Sequence, residues 1–125
     1  MNKRATAYLL MIAGLASFGR VLADTEKEQS IDRGAGHFRI FCTNCHGVNA
    51  DGKGPLVKLL KVEPTDLTIL RQTGGGESVT ERVLKAVSGR HEVGEGQEQK
   101  MPVFSDNLEV STVYEIAEYL ESIQK

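Results

Sequence analysis

Apolar residues recur along this chain in amphipathic blocks separated by polar, glycine-rich stretches. Ile31, Ala35, Phe38 and the Phe41–Cys42 pair return at helical spacing, which predicts a helix from about Thr25 to Thr43 with one apolar face. Gly34 lies on or beside that face. Glycine weakens a helix, so its presence there points to a packing reason such as close approach of another helix. Val113, Ile116, Ala117, Leu120 and Ile123 form a second stripe and predict a last helix from about Glu109 to Gln124. Between them, Ser78-Val79-Thr80-Glu81 has the serine and the glutamate of a capping box. It opens a short helix running to about Ser88 and stopped by Gly89.

The remainder reads as loop. Gly47, Gly52, Gly54, Pro55, Pro64 and Gly74-Gly75-Gly76 punctuate residues 47–77, where Leu56, Leu59 and Leu60 suggest one helical turn. Residues 89–100 are polar and read as an exposed loop. No alternating run of useful length suggests strands, and no segment repeats. The expectation is an all-α chain. The glycine triplet is not a phosphate loop: no Lys-Ser/Thr pair follows it and no strand precedes it.

The first residues change the picture of where the chain works. Lys3 and Arg4 precede an uncharged, largely apolar run of 14 residues, 5–18, and Val21-Leu22-Ala23 resembles a small-residue cleavage site. That order predicts a secretory signal over 1–23 and a single domain over 24–125. The competing reading is an uncleaved anchor, but the run falls short of the roughly 20 residues that span a bilayer. No membrane insertion is expected if the signal is cleaved. Cleavage after Ala23 leaves 12 Lys and Arg against 17 Asp and Glu, a formal balance of −5. With a whole-chain charge of −2 and no basic patch, nucleic acid is not an expected partner. An acidic surface favours partners with a positive docking face.

The chemistry sits in Cys42-Thr43-Asn44-Cys45-His46, which holds both cysteines of the chain. C-x-x-C-H is the haem attachment pattern. Two thiols three residues apart can each add to one of the two vinyl groups of a single haem, and the next imidazole then lies where it can reach the iron. Three other readings compete. A structural zinc site needs four ligands, so His37 and His91 would have to complete it. A thioredoxin-like pair would follow a strand in a βαβ unit. A plain disulfide would close a very small loop and leave His46 without a role. Trp is absent and aromatics are only 6%, so the core is thin and a large apolar cofactor would help to fill it.

A second iron ligand is expected beyond the attachment motif. Met1 and Met11 leave with the signal, so Met101, in Lys100-Met101-Pro102-Val103-Phe104, is the one methionine of the mature chain. It lies far enough along the chain for a loop to fold over the opposite haem face, with Pro102 stiffening the backbone. His91 is the runner-up, and His37 reads as a surface residue of the first helix.

These residues together resemble the class I c-type cytochromes, the small single-haem bacterial kind, over nearly all of residues 24–125. Gly34-x3-Phe38-x3-Cys42-x2-Cys45-His46 is similar to the family's first helix and attachment site. Gly54-Pro55 is similar to the segment whose proline carbonyl accepts a hydrogen bond from the proximal histidine. Pro64-Thr65-Asp66-Leu67 looks like a loop common in bacterial members, and Met101-Pro102 resembles the distal-ligand loop. Tyr119-Leu120 resembles the last helix, whose aromatic packs across Gly34 and Phe38. The resemblance implies a cytochrome c fold, with three main helices plus short turns packed around one covalently bound haem c. It also implies haem attachment after export to the periplasm, with Cys42 and Cys45 as covalent links, His46 as proximal ligand, Met101 as distal ligand and Pro55 supporting His46. The implied function is outer-sphere electron transfer between redox partners in transient complexes, with no catalysis at a saturated iron. Two other functions compete: a haem subunit or accessory component of a larger oxidase or dehydrogenase, and a ligand-binding haem protein with a labile distal methionine. The polar loop of residues 89–100 departs from the family pattern.

Overall fold

The computed structural model describes residues 23–89, 101–104 and 107–125. The expected signal segment, apart from Ala23, and residues 90–100 with His91 therefore lie outside the described residues. The described chain is helical, with no strand. Three main helices, α1 (residues 23–41), α4 (Val79–Val87) and α5 (Val110–Ser122), are accompanied by two short ones, α2 (Thr43–His46) and α3 (Leu70–Thr73). Two 3-10 turns, Val57–Leu59 and Leu67–Ile69, lie between α2 and α3. No helix of the described residues is long and apolar enough to cross a membrane.

The helices form where the apolar periodicity lies. On α5, Val113, Ile116, Ala117 and Leu120 are buried while Tyr114 and Glu121 face out. On α4, Val79, Val83 and Val87 are buried at spacings of four, and that face packs on α5. Phe38 from α1, Ala50 and Leu70 complete the buried core. On α1 the stripe is less regular than its spacing suggests. Phe38 is 2% exposed but Phe41, three residues on, is 39% exposed.

The capping box at the start of α4 is present in both directions. Glu81 N–H donates to Ser78 Oγ at 3.2 Å, and Ser78 N–H donates to the Glu81 carboxylate at 3.1 Å. The Ser78 hydroxyl and amide hold the Glu81 carboxyl below the usual carboxylate range. The stabilisation is thus present above the ordinary carboxylate pKa and is lost as pH falls through the lowered one. Ser78→Ala should lower stability by about 1 kcal/mol. Chemical denaturation at neutral pH checks it, and the wild-type advantage should shrink on acidification.

Helix α1 lies against α5 through Gly34. A Cβ there would collide with the backbone carbonyl of Glu115 and come within 3.0 Å of Tyr119 Cβ. Around this crossing, Arg33 Nε donates to Glu115 Oε1 at 2.6 Å, His37 Nε2 lies 3.2 Å from Glu115 Oε2, and Ser30 bonds Glu118. The Phe38 and Tyr119 rings meet at 5.4 Å between centroids, tilted by 49°. The packing reason expected for Gly34 is therefore the α5 backbone.

The stretch from 66 to 73 is more ordered than a loop reading allows. Asp66 accepts from Thr68 N–H at 2.8 Å and opens the 3-10 turn that runs into α3, where Leu70 is buried. The C-terminal residues then fasten this stretch. Gln124 Nε2 donates to the Leu67 carbonyl at 2.7 Å, Arg71 N–H donates to Gln124 Oε1 at 2.9 Å, and Lys125 N–H donates to the Thr68 carbonyl at 3.0 Å. Those partners lie more than fifty residues away, so no local pattern announced them.

Candidate functional site

Cys42 continues α1, its N–H donating to the Phe38 carbonyl at 2.9 Å, and serves as N-cap of α2. Cys45 and His46 close that one-turn helix, with His46 N–H on the Cys42 carbonyl at 2.9 Å. A single helical turn thus carries both thiols and the imidazole. Both cysteines are free thiols and half-buried, so no disulfide joins them. Burial, with Cys45 adding to it, pushes the Cys42 thiol up to about 12. A thioredoxin-like pair typically has a lowered thiol pKa within a βαβ unit, and neither accompanies Cys42 among the described residues. No cluster of three or more His, Cys, Asp or Glu able to hold a metal ion is formed among the described residues, and His91, which the competing zinc reading needs, lies outside them. His37 is engaged with Glu115.

His46 Nδ1 lies 3.1 Å from the Thr65 carbonyl oxygen. A carbonyl can only accept, so Nδ1 carries the proton and Nε2 keeps its lone pair. Burial lowers the His46 pKa, partly offset by that bond, which favours the neutral ring.

The carbonyl is not the one expected. Pro55 is exposed and makes no bond to the ring. Its neighbours are committed elsewhere: Gly54 N–H donates to the Cys45 carbonyl and Leu56 N–H to the Asn44 carbonyl, each at 3.0 Å. A Cβ at Gly54 would strike the Asn44 carbonyl, so glycine is what lets this segment lie against the α2 turn. The loop then doubles back. Gly52, at φ +80°, leaves no room for a Cβ beside the Pro64 carbonyl, and Leu67 N–H donates to the Ala50 carbonyl at 2.7 Å. Ala50 sits fully buried at φ +57°, a strained conformation for a non-glycine residue. This fold-back brings Pro64-Thr65 to the imidazole. A backbone carbonyl has no sequence signature, and only the presence of the 64–67 loop hinted at it.

Met101 is half-buried and packs against the core, as do Cys42, Leu67, Leu84, Phe104 and Leu108. Phe104 N–H, on the Val87 carbonyl at 2.9 Å, ties the Met101 segment to the end of α4. A cavity of about 60 Å³ lined by Ala35, Phe38, Arg39, Thr43, Val48 and Tyr119 is far too small for a porphyrin and is not lined by Cys42, Cys45, His46 or Met101. Cys42 and Met101 both lie on this half-buried apolar rim, and Cys45 and His46 share the α2 turn with Cys42. A flat apolar group seated there would complete the burial of a core whose largest fully buried side chains are Phe38 and Val79.

No curated protein and no solved structure matches the chain. A family model does, that of cytochrome c oxidase, cbb3-type, subunit III, over residues 29–120. The match takes in the α1–α5 crossing, the C-x-x-C-H turn, the 64–67 loop and the Met101 segment, and by it the chain belongs to the cbb3-type cytochrome c oxidase subunit III family, a monohaem c-type cytochrome domain.

Proposed function

We propose that the chain is exported and works in the periplasm as a single-electron carrier holding one covalent haem c. The Cys42 and Cys45 thiols would hold the haem covalently, each adding across one vinyl double bond to give a carbon–sulfur and a carbon–hydrogen bond with no oxidant needed. His46 offers Nε2 as proximal ligand, steadied by the Thr65 carbonyl in the role first expected of Pro55. Met101 offers its sulfur as distal ligand. The bound haem supplies a one-electron couple. The residues around it would orient the ligands and exclude water, and the protein would pass electrons to redox partners in transient complexes rather than act on a substrate. The observation that carries this reading is the His46 ring, its Nδ1 committed to a carbonyl and its Nε2 without a hydrogen bond among the described residues, on one turn with two free thiols.

Met101→Ala tests the distal ligand. The ferric protein should lose the weak far-red band that marks sulfur on iron, its potential should fall, and it should begin to bind carbon monoxide. A wild-type protein that lacks the band and binds carbon monoxide readily would instead be a ligand-binding haem protein. The family match favours a second reading, a haem subunit of a larger oxidase. Size-exclusion chromatography of the native protein separates the two: a free carrier elutes alone, a subunit with its assembly.

A further inference from the structure

Residues 53–62 form an exposed lobe rooted in the α2 turn through the Gly54–Cys45 and Leu56–Asn44 backbone bonds. Around a 3-10 turn, residues three apart fall on one side. Leu56 and Leu59 have that spacing at the Val57–Leu59 turn, and Val62 follows beyond the extended Leu60; the three are 41%, 80% and 48% exposed. Lys58 and Lys61 lie between them along the chain, both exposed and neither in an ion pair among the described residues. Lys53 is drawn to Asp51 at 3.9 Å, and Glu63 ends the lobe. Aliphatic and cationic side chains thus alternate on the surface of a chain whose net charge is −2.

We propose that this lobe docks on an anionic lipid surface, with Leu56, Leu59 and Val62 entering the headgroup boundary and Lys58 and Lys61 meeting lipid phosphates. Lysine suits this task because its aliphatic stem lies along apolar surface while the ammonium reaches the phosphate. A protein partner is the weaker fit. The centres of protein interfaces are enriched in aromatics and arginine and depleted in lysine, and residues 53–62 contain neither an aromatic nor an arginine. The acidic remainder of the chain is repelled by such a surface, which confines contact to the lobe and fixes orientation. Docking holds the C-x-x-C-H turn close to the bilayer plane, because backbone bonds join that turn to the lobe. The proposal is independent of which atoms ligate iron.

The test is co-sedimentation of the exported holoprotein with phosphatidylcholine vesicles, with and without phosphatidylglycerol. Binding should require the anionic lipid and weaken with salt. Lys58→Gln with Lys61→Gln should reduce partitioning by about fivefold per lysine. Leu59→Ser should reduce it by about tenfold. Both variants should keep the wild-type visible spectrum and melting temperature, since the altered side chains are exposed. Wild type that ignores anionic vesicles, or variants that bind them as well as wild type, would overturn the proposal. So would a lobe that engages a soluble acidic protein without engaging vesicles.

Discussion

Replacing Cys42 and Cys45 together by alanine should yield a bare polypeptide in intact-mass measurement and an unstained band on a denaturing gel washed before haem staining. Wild type from the same cells should carry the mass of one haem through both procedures. The effect should be total, because no other thiol exists to replace either link. Folding should suffer as well. The buried set contains one aromatic, and Cys42, Leu67, Leu84, Met101, Phe104 and Leu108 stop half-buried around it. Leaving several such side chains half-exposed forfeits much of the roughly 1.5–3 kcal/mol each gains on full burial. Against a typical total of about 5–15 kcal/mol, that deficit is enough to leave the chain largely unfolded. A double variant that retained haem through denaturation would remove the basis of the functional reading.

The second large effect is expected at Gly34. Alanine is ordinarily the better helix residue by about 1 kcal/mol. Here its methyl would meet the carbonyl carbon and oxygen of Glu115, which are backbone and cannot rotate away. Helix α1 would have to lift from α5, weakening the Phe38–Tyr119 contact and the Arg33–Glu115 pair together. Overpacking of this kind costs about 1–3 kcal/mol, occasionally more, so Gly34→Ala should lower the denaturation midpoint and Gly34→Val should lower it further. Gly36 provides the internal control. A Cβ at that position meets nothing within 4 Å, so Gly36→Ala should be neutral or stabilising by up to about 1 kcal/mol. Equal effects at the two glycines would mean that helix propensity, and not the crossing, governs this surface.

Periodicity and chemistry written in neighbouring residues carried far into the structure. The stripe of Val113, Ile116, Ala117 and Leu120 and the box of Ser78 and Glu81 became α5 and the start of α4, because both depend on contacts within a few residues. The C-x-x-C-H turn was legible for the same reason: its spacing alone sets two thiols and an imidazole on one turn. The crossing glycine could be suspected, since Gly34 interrupts an otherwise good helix, although which backbone it touches could not. What escaped the sequence depends on the path of the chain. The His46 bond was expected at Pro55 and falls to Thr65, since the fold-back at Gly52 brings a later carbonyl to the ring. Helix α3 was hidden in a stretch read as loop, being fixed by Gln124 and Lys125 at the far end of the chain. Local rules assign residues to helices and to chemistry. Which backbone atoms meet across the fold is settled by close packing, where every group must find a partner at once.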